Sequence, residues 1–125
     1  MKRIASWLKD NGKVIIEVGA TWFWVKAAGI EMDLGAGMRR YGFDPLGSRL
    51  IDEWWLPEKP DEVYHQALRC YTPADYNLLL KGSGLFLKDI IPGGKVDFED
   101  MEFIEKTELG EAMTYYTLLY KELIL

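Results

Sequence analysis

The sequence predicts an α+β fold in which an antiparallel β-sheet, made of a meander over residues 13–34 and a hairpin over 85–105, is covered mainly on one face by helices. Three observations lead there. The N-terminal third carries β-branched and aromatic runs separated by short turns, the middle carries apolar residues at helical spacing, and the whole chain is 49% hydrophobic and 28% charged, a balance that supports a packed core. With 125 residues and no linker-like stretch, one domain over residues 1–125 is expected.

Taken in order, Ile4, Trp7 and Leu8 form an amphipathic stripe in a helix over 2–10 that Asn11-Gly12 ends. Lys13 to Val18 is extended and β-branched, and Gly19-Ala20 before Thr21 to Lys26 has the form of a type II′ hairpin. Ile30 to Leu34 alternates apolar and acidic residues, the mark of a third strand. Thr21, Phe23 and Val25 then share one face of the middle strand, and Trp22 and Trp24 share the other. That second face is either packed core or an aromatic binding surface.

Asp44-Pro45 reads as a helix start, with aspartate at the N-cap and proline at N1, and Leu46, Leu50 and Trp54 recur at helical spacing to give a helix over 44–56. Adjacent residues on a helix point about 100° apart, so Trp54 and Trp55 cannot both sit at the centre of a buried face. One of them is the expected partner contact. Val63, Ala67 and Cys70 beside Tyr64, Leu68 and Tyr71 predict a helix over 61–71, and Thr72-Pro73-Ala74-Asp75 opens another over 73–81 that Gly82 ends. Leu85 to Ile91, the turn Pro92-Gly93-Gly94 and Lys95 to Glu105 form the second hairpin, with a slip in alternation near Glu99-Asp100 that signals a bulge or a break into two strands. From Leu109 to Leu123 a helical period competes with the strand propensity of Thr114 to Thr117, and the period, held for four turns, predicts a helix over 108–123.

Charge is unevenly placed. Residues 1–95 hold 13 Lys and Arg against 12 Asp and Glu, while residues 96–125 hold 2 against 8, which accounts for the net charge of −5. Only Arg39-Arg40 forms a basic cluster, so nucleic-acid binding is disfavoured. No apolar run reaches a membrane span, no signal-peptide core is present, and the lone Cys70 suits a reducing compartment, so a cytoplasmic location is expected.

Reactive machinery is sparse. The one histidine, His65, lacks a nucleophile partner: Cys70 falls on another part of the same predicted helix, and Ser6, Ser48 and Ser83 stand in no nucleophile motif. Gly35 to Arg40 lacks the third glycine and the following helix of a dinucleotide loop. One Cys and one His do not make a zinc site, and no calcium loop is present. Asp97, Glu99, Asp100, Glu102 and Glu105 lack the companion lysine of a nuclease-like set and read as a solvated strand face. No catalytic residue, metal or cofactor is assigned.

The resulting expectation is a non-enzymatic binding module of inhibitor or immunity type, whose acidic Asp97, Glu99, Asp100 and Glu102 meet a basic protein surface and whose Trp54 or Trp55 anchors the contact. The alternative is a small-molecule-binding protein or small enzyme with the Trp22/Trp24 face as a pocket wall. A homodimer that buries the exposed aromatics is the third possibility.

Overall fold

A computed structural model describes residues 1–121. Its elements are α1 (Lys2–Trp7), β1 (Lys13–Ala20), α2 (Thr21–Ala27), β2 (Glu31–Asp33), β3 (Met38–Asp44), β4 (Arg49–Trp55), β5 (Tyr64–Tyr71), α3 (Pro73–Leu80), β6 (Leu85–Pro92), β7 (Lys95–Asp97), β8 (Glu102–Ile104) and β9 (Thr114–Lys121). A 3-10 turn at Leu109–Glu111 precedes β9. Seven strands form one curled mixed sheet in the order β2-β3-β4-β5-β1-β9-β6, and β7 pairs with β8 in a separate hairpin. Neighbours are antiparallel except β1 and β5, which run parallel and meet at Gly19–Cys70 and Ala20–Tyr71. The expected antiparallel meander under a helical layer is therefore corrected: the sheet is larger, it is mixed, and the helices are short connectors.

Each departure has a local cause. Gly19 makes no hairpin, because a Cβ there would stand 3.2 Å from Cys70 Sγ; the glycine lets β1 and β5 approach. The following Thr21 to Ala27 coils into α2, whose aromatics take divergent partners. Trp22 stacks on Tyr115 at 6.0 Å, and Trp24 packs edge-on against Tyr41 at 5.1 Å and donates from Nε1 to Met113 O at 3.1 Å. Tertiary contacts outweigh the strand propensity of this run.

The helix expected over 44–56 is instead the hairpin β3–β4. Asp44 Oδ1 accepts from the Leu46 amide at 3.1 Å, an Asx turn, and Ser48 takes the left-handed conformation at φ 52. Leu46, the first residue of the expected apolar stripe, is almost fully exposed. The helix expected over 61–71 is β5, which pairs with β4 from Arg49–Arg69 to Trp54–Tyr64. In α3 the Thr72 hydroxyl caps the Asp75 amide at 3.2 Å.

Residues 85–105 do not form one hairpin. Leu85–Pro92 pairs with β9, and the phase slip divides the remainder into β7 and β8. The helix expected over 108–123 is β9, with residues 122–123 outside the described range. Tyr115, Thr117 and Leu119 are fully buried at strand spacing. Thr117 breaks the apolar pattern, yet its hydroxyl donates to Ile16 O at 3.2 Å and shares a 3.1 Å hydrogen bond with the Tyr76 hydroxyl.

Two cores result. Val18, Ala20, Tyr115 and Leu119 pack with Ala5 of α1 and Tyr76 and Leu80 of α3, while Tyr41, Leu50 and Cys70 pack with Trp24, Phe43 and Phe98. Helix α2 joins the two clusters, since Trp22 and Phe23 touch the first and Trp24 the second.

Candidate functional site: a cleft at one end of the sheet

Strands β1 and β5 are parallel, and β6 runs with them because both β1 and β6 are antiparallel to β9. All three end at the same edge of the sheet, where α2, α3 and the Gly93-Gly94 turn begin. A cleft of about 480 Å³ opens there, lined by Trp22, Phe23 and Lys26 of α2, by Lys95, Asp97, Phe98 and Glu99 after β6, and by Glu111 before β9.

The glycine pair shapes it. The Gly93 amide donates to Thr114 O at 2.8 Å and the Met113 amide to Gly94 O at 3.0 Å, so this turn lies flat on the start of β9. A Cβ on Gly93 would strike Thr114, and one on Gly94 would strike Phe103. Thr107 Oγ1 adds a 2.8 Å bond to Gly93 O. The cleft is thereby walled by aromatic rings: Phe23 lies 5.9 Å from Phe98, and Trp22 lies against Tyr115. Its charges are mixed. Lys95 Nζ pairs with Glu111 at 3.3 Å, and Asp97 Oδ1 accepts from the Glu99 and Asp100 amides at 3.0 and 3.4 Å. Thr21 Oγ1 and Trp22 Nε1 are shielded from solvent and have no hydrogen-bond partner in the protein.

Behind the cleft, Tyr115 donates from its hydroxyl to Tyr71 O at 2.8 Å, and burial pushes that hydroxyl far above the ordinary tyrosine range. Cys70 is buried beside it, and burial likewise raises its thiol, which makes it unreactive. His65 lies exposed on β5, away from the cleft lining.

A second cavity, about 730 Å³, lies on the β2–β5 part of the sheet between Leu34, Arg39, Asp52, Trp54, Trp55 and Tyr64. Asp52 is buried at 2% exposure and takes Arg39 in a bidentate grip, with Nε at 2.9 Å, while Gln66 Nε2 lies at 3.4 Å. Trp54 stacks on Tyr64 at 6.2 Å, and the Arg40 guanidinium lies 5.2 Å over the Trp55 ring.

The expected partner-binding set is therefore split. Asp97 and Glu99 line the first cavity, Trp54 and Trp55 the second, and Asp100 and Glu102 are exposed on the β7–β8 segment without lining either. Of the Trp22/Trp24 pair only Trp22 faces a cavity; Trp24 is core. Sequence reading missed Lys26, Lys95, Phe98 and Glu111, and the one signal for them was the Gly93-Gly94 turn that places Lys95. Among the described residues no group of three or more His, Cys, Asp or Glu is placed to hold a metal ion, and no helix is long and apolar enough to cross a membrane.

No protein-family profile and no curated protein matches the chain. Its fold, however, is similar to part of solved methyltransferase structures. It is similar to the CcbJ methyltransferase from Streptomyces caelestis, with a TM-score of 0.68 and 15% identity over 98% of this chain and 48% of that one. It is similar also to an S-adenosylmethionine-dependent methyltransferase from Clostridium acetobutylicum, with a TM-score of 0.63 and 12% identity over 97% of this chain and 49% of that one. The chain spans about half the length of these structures. Both neighbours are methyltransferases, which corrects the expectation of a non-enzymatic inhibitor or immunity module and fits the small-enzyme alternative, with its Trp22/Trp24 face, better.

Proposed function

We propose that the protein acts in S-adenosylmethionine-dependent methyl transfer and supplies the acceptor-binding portion of the enzyme. One observation carries this reading: the Trp22 cleft lies outside the carboxyl ends of β1 and β6, where α/β sheets place their ligands, in a chain whose fold is similar to part of solved methyltransferase structures. The rings of Trp22, Phe23 and Phe98 suit a planar or cationic acceptor. Transfer to an oxygen or nitrogen releases a proton, and Asp97, Glu99 and Glu111 are the carboxylates in position to take it. The free thiol of Cys70 accords with a cytoplasmic setting.

The described residues do not fit the nucleoside portion of the cofactor. A nucleotide is held by a strand, a glycine turn and a helix N-terminus that its phosphate or ribose can approach closely. Here Gly19 is filled by Cys70, Gly93 and Gly94 face the protein's own Thr114 and Phe103, the turn carrying Gly35 and Gly37 closes the β2–β3 hairpin, and Gly110, though open at the cleft, sits in the 3-10 turn before β9 and not between a strand and a helix. No reaction step is therefore assigned through the cofactor.

The test is label transfer from methyl-labelled S-adenosylmethionine by protein recovered from its own cells. Label is expected in a small acceptor, with at least roughly tenfold loss on Trp22→Ala or Asp97→Asn, the scale of a lost positioning or proton-transfer group. Native material that neither transfers label nor binds S-adenosylhomocysteine would overturn the reading.

A further inference from the structure

The second cavity shares no lining residue with the cleft and is built by a different part of the sheet. Cross-strand pairing sets its floor. Arg39 of β3, Trp54 of β4 and Tyr64 of β5 stand in one row, and Tyr41, Asp52 and Gln66 stand in the next, all on one face of the sheet. The rows differ in depth. Tyr41 and Asp52 are buried, whereas Trp54 and Tyr64 are exposed.

Arg39 is the group that this arrangement prepares. One edge of its guanidinium, Nε and Nη2, donates to the two carboxylate oxygens of Asp52, and the group lies 5.5 Å over the Tyr41 ring. Its other edge, Nη1 with the outer N–H of Nη2, donates to no acceptor among the described residues. Exposure decides which charge the cavity meets: the Asp52 side chain is 3% exposed and the Arg39 side chain 39%, so the guanidinium covers the carboxylate. An arginine fixed in this way presents two parallel N–H groups, the geometry that a second carboxylate accepts. In the same row the Trp54 and Tyr64 rings, 6.2 Å apart and inclined by 22°, form a flat aromatic wall.

We propose that this cavity is a binding site for a small planar carboxylic acid, with its carboxylate on the free edge of Arg39 and its ring against Trp54 and Tyr64. The site is separate from the acceptor cleft and does not depend on the methyltransferase reading. Two features select the occupant. The hollow, about 730 Å³, is of the size that encloses a small molecule, roughly 300–1,000 Å³, and is not a flat protein contact. Arg39 and Asp52 are the charged side chains among the described residues that line it, and the cation is the accessible one, so an anion complements the site.

Calorimetric titration of the native protein with naphthoate, against naphthamide as the uncharged isostere, tests the site. The acid is expected to bind at least roughly tenfold more tightly, because the amide cannot form the charge-assisted pair. In nitrogen-edited NMR spectra the acid shifts the Trp54 indole signal and leaves that of Trp22 in place. Arg39→Ala is unsuitable as a probe, since it strands Asp52. Arg39→Lys keeps a cation for Asp52 without the fork, and Tyr64→Ala removes an exposed ring; each is expected to weaken naphthoate binding roughly tenfold while cooperative unfolding is retained. The proposal is overturned by absence of binding, by equal affinity for acid and amide, by a shift of Trp22 in place of Trp54, or by full affinity in either variant. A native particle in which a second copy or another protein surface already shields the Trp54 indole overturns it as well.

Discussion

Replacing Arg39 by alanine is the most informative single perturbation of the second cavity. Asp52 is 2% exposed, and its carboxylate is neutralised by the bidentate Arg39 guanidinium, with only the long Gln66 contact besides. Arg39→Ala strands a charge out of water, which costs about 3–5 kcal/mol. Asp52→Ala is milder, because the Arg39 side chain keeps 39% exposure and can rehydrate; about 1–2 kcal/mol is expected after allowing for that solvent access. The double variant should lose less than the two singles together, with a coupling of about 1–3 kcal/mol. At about 4 °C per kcal/mol for a domain of this size, Arg39→Ala lowers the melting temperature by roughly 10–20 °C. Urea unfolding followed by tryptophan fluorescence and circular dichroism reads all four proteins. Equal, additive losses for the two singles would refute the reasoning and reduce the pair to a surface ion pair.

The remaining predictions concern the interior. Burial raises the hydroxyl pKa of Tyr41, Tyr76 and Tyr115, so the folded state holds these protons more tightly than the unfolded chain. Their contribution to stability is complete below about pH 10 and is lost as pH climbs past it, which melting curves between pH 8 and 11 will show as a steep alkaline decline. Thr117→Val leaves the Ile16 carbonyl and Tyr76 hydroxyl short of a partner and costs about 1–3 kcal/mol in chemical denaturation, whereas Thr117→Ser keeps the hydroxyl and costs about 1 kcal/mol through the lost methyl. Cys70 resists alkylation by iodoacetamide in the folded protein and reacts on unfolding, as thiol titration with and without denaturant will measure.

What the chain revealed in advance follows from how local each signal is. The Thr72 cap and Pro73 start α3 by bonds within four residues, and the β-branched run of β1 needs no distant partner to favour extension. Asp44-Pro45 is ambiguous by nature, since aspartate can cap a helix or close an Asx turn, and pairing with β5 decides for the turn. The last strand was hidden because Leu109, Ala112, Met113, Tyr116 and Leu119 satisfy a helical period, while the residue that reveals the strand, Thr117, is polar and earns its burial from Ile16 and Tyr76. The cleft was half visible. Asp97 and Glu99 were legible as carboxylates, but their meeting with Trp22 and Lys26 depends on α2 folding over the end of β1, and no spacing rule reports a contact between segments so far apart.

Strand β9 lies inside the sheet between β1 and the edge strand β6, and it emerges last among the described strands. During synthesis β1 has to wait, its inner side bare, until nearly every other described residue has left the ribosome and Tyr115 to Tyr120 can slot in beside it. Folding of this sheet is thus expected to be slow, with the Val14–Val18 segment open to aggregation until β9 pairs with it.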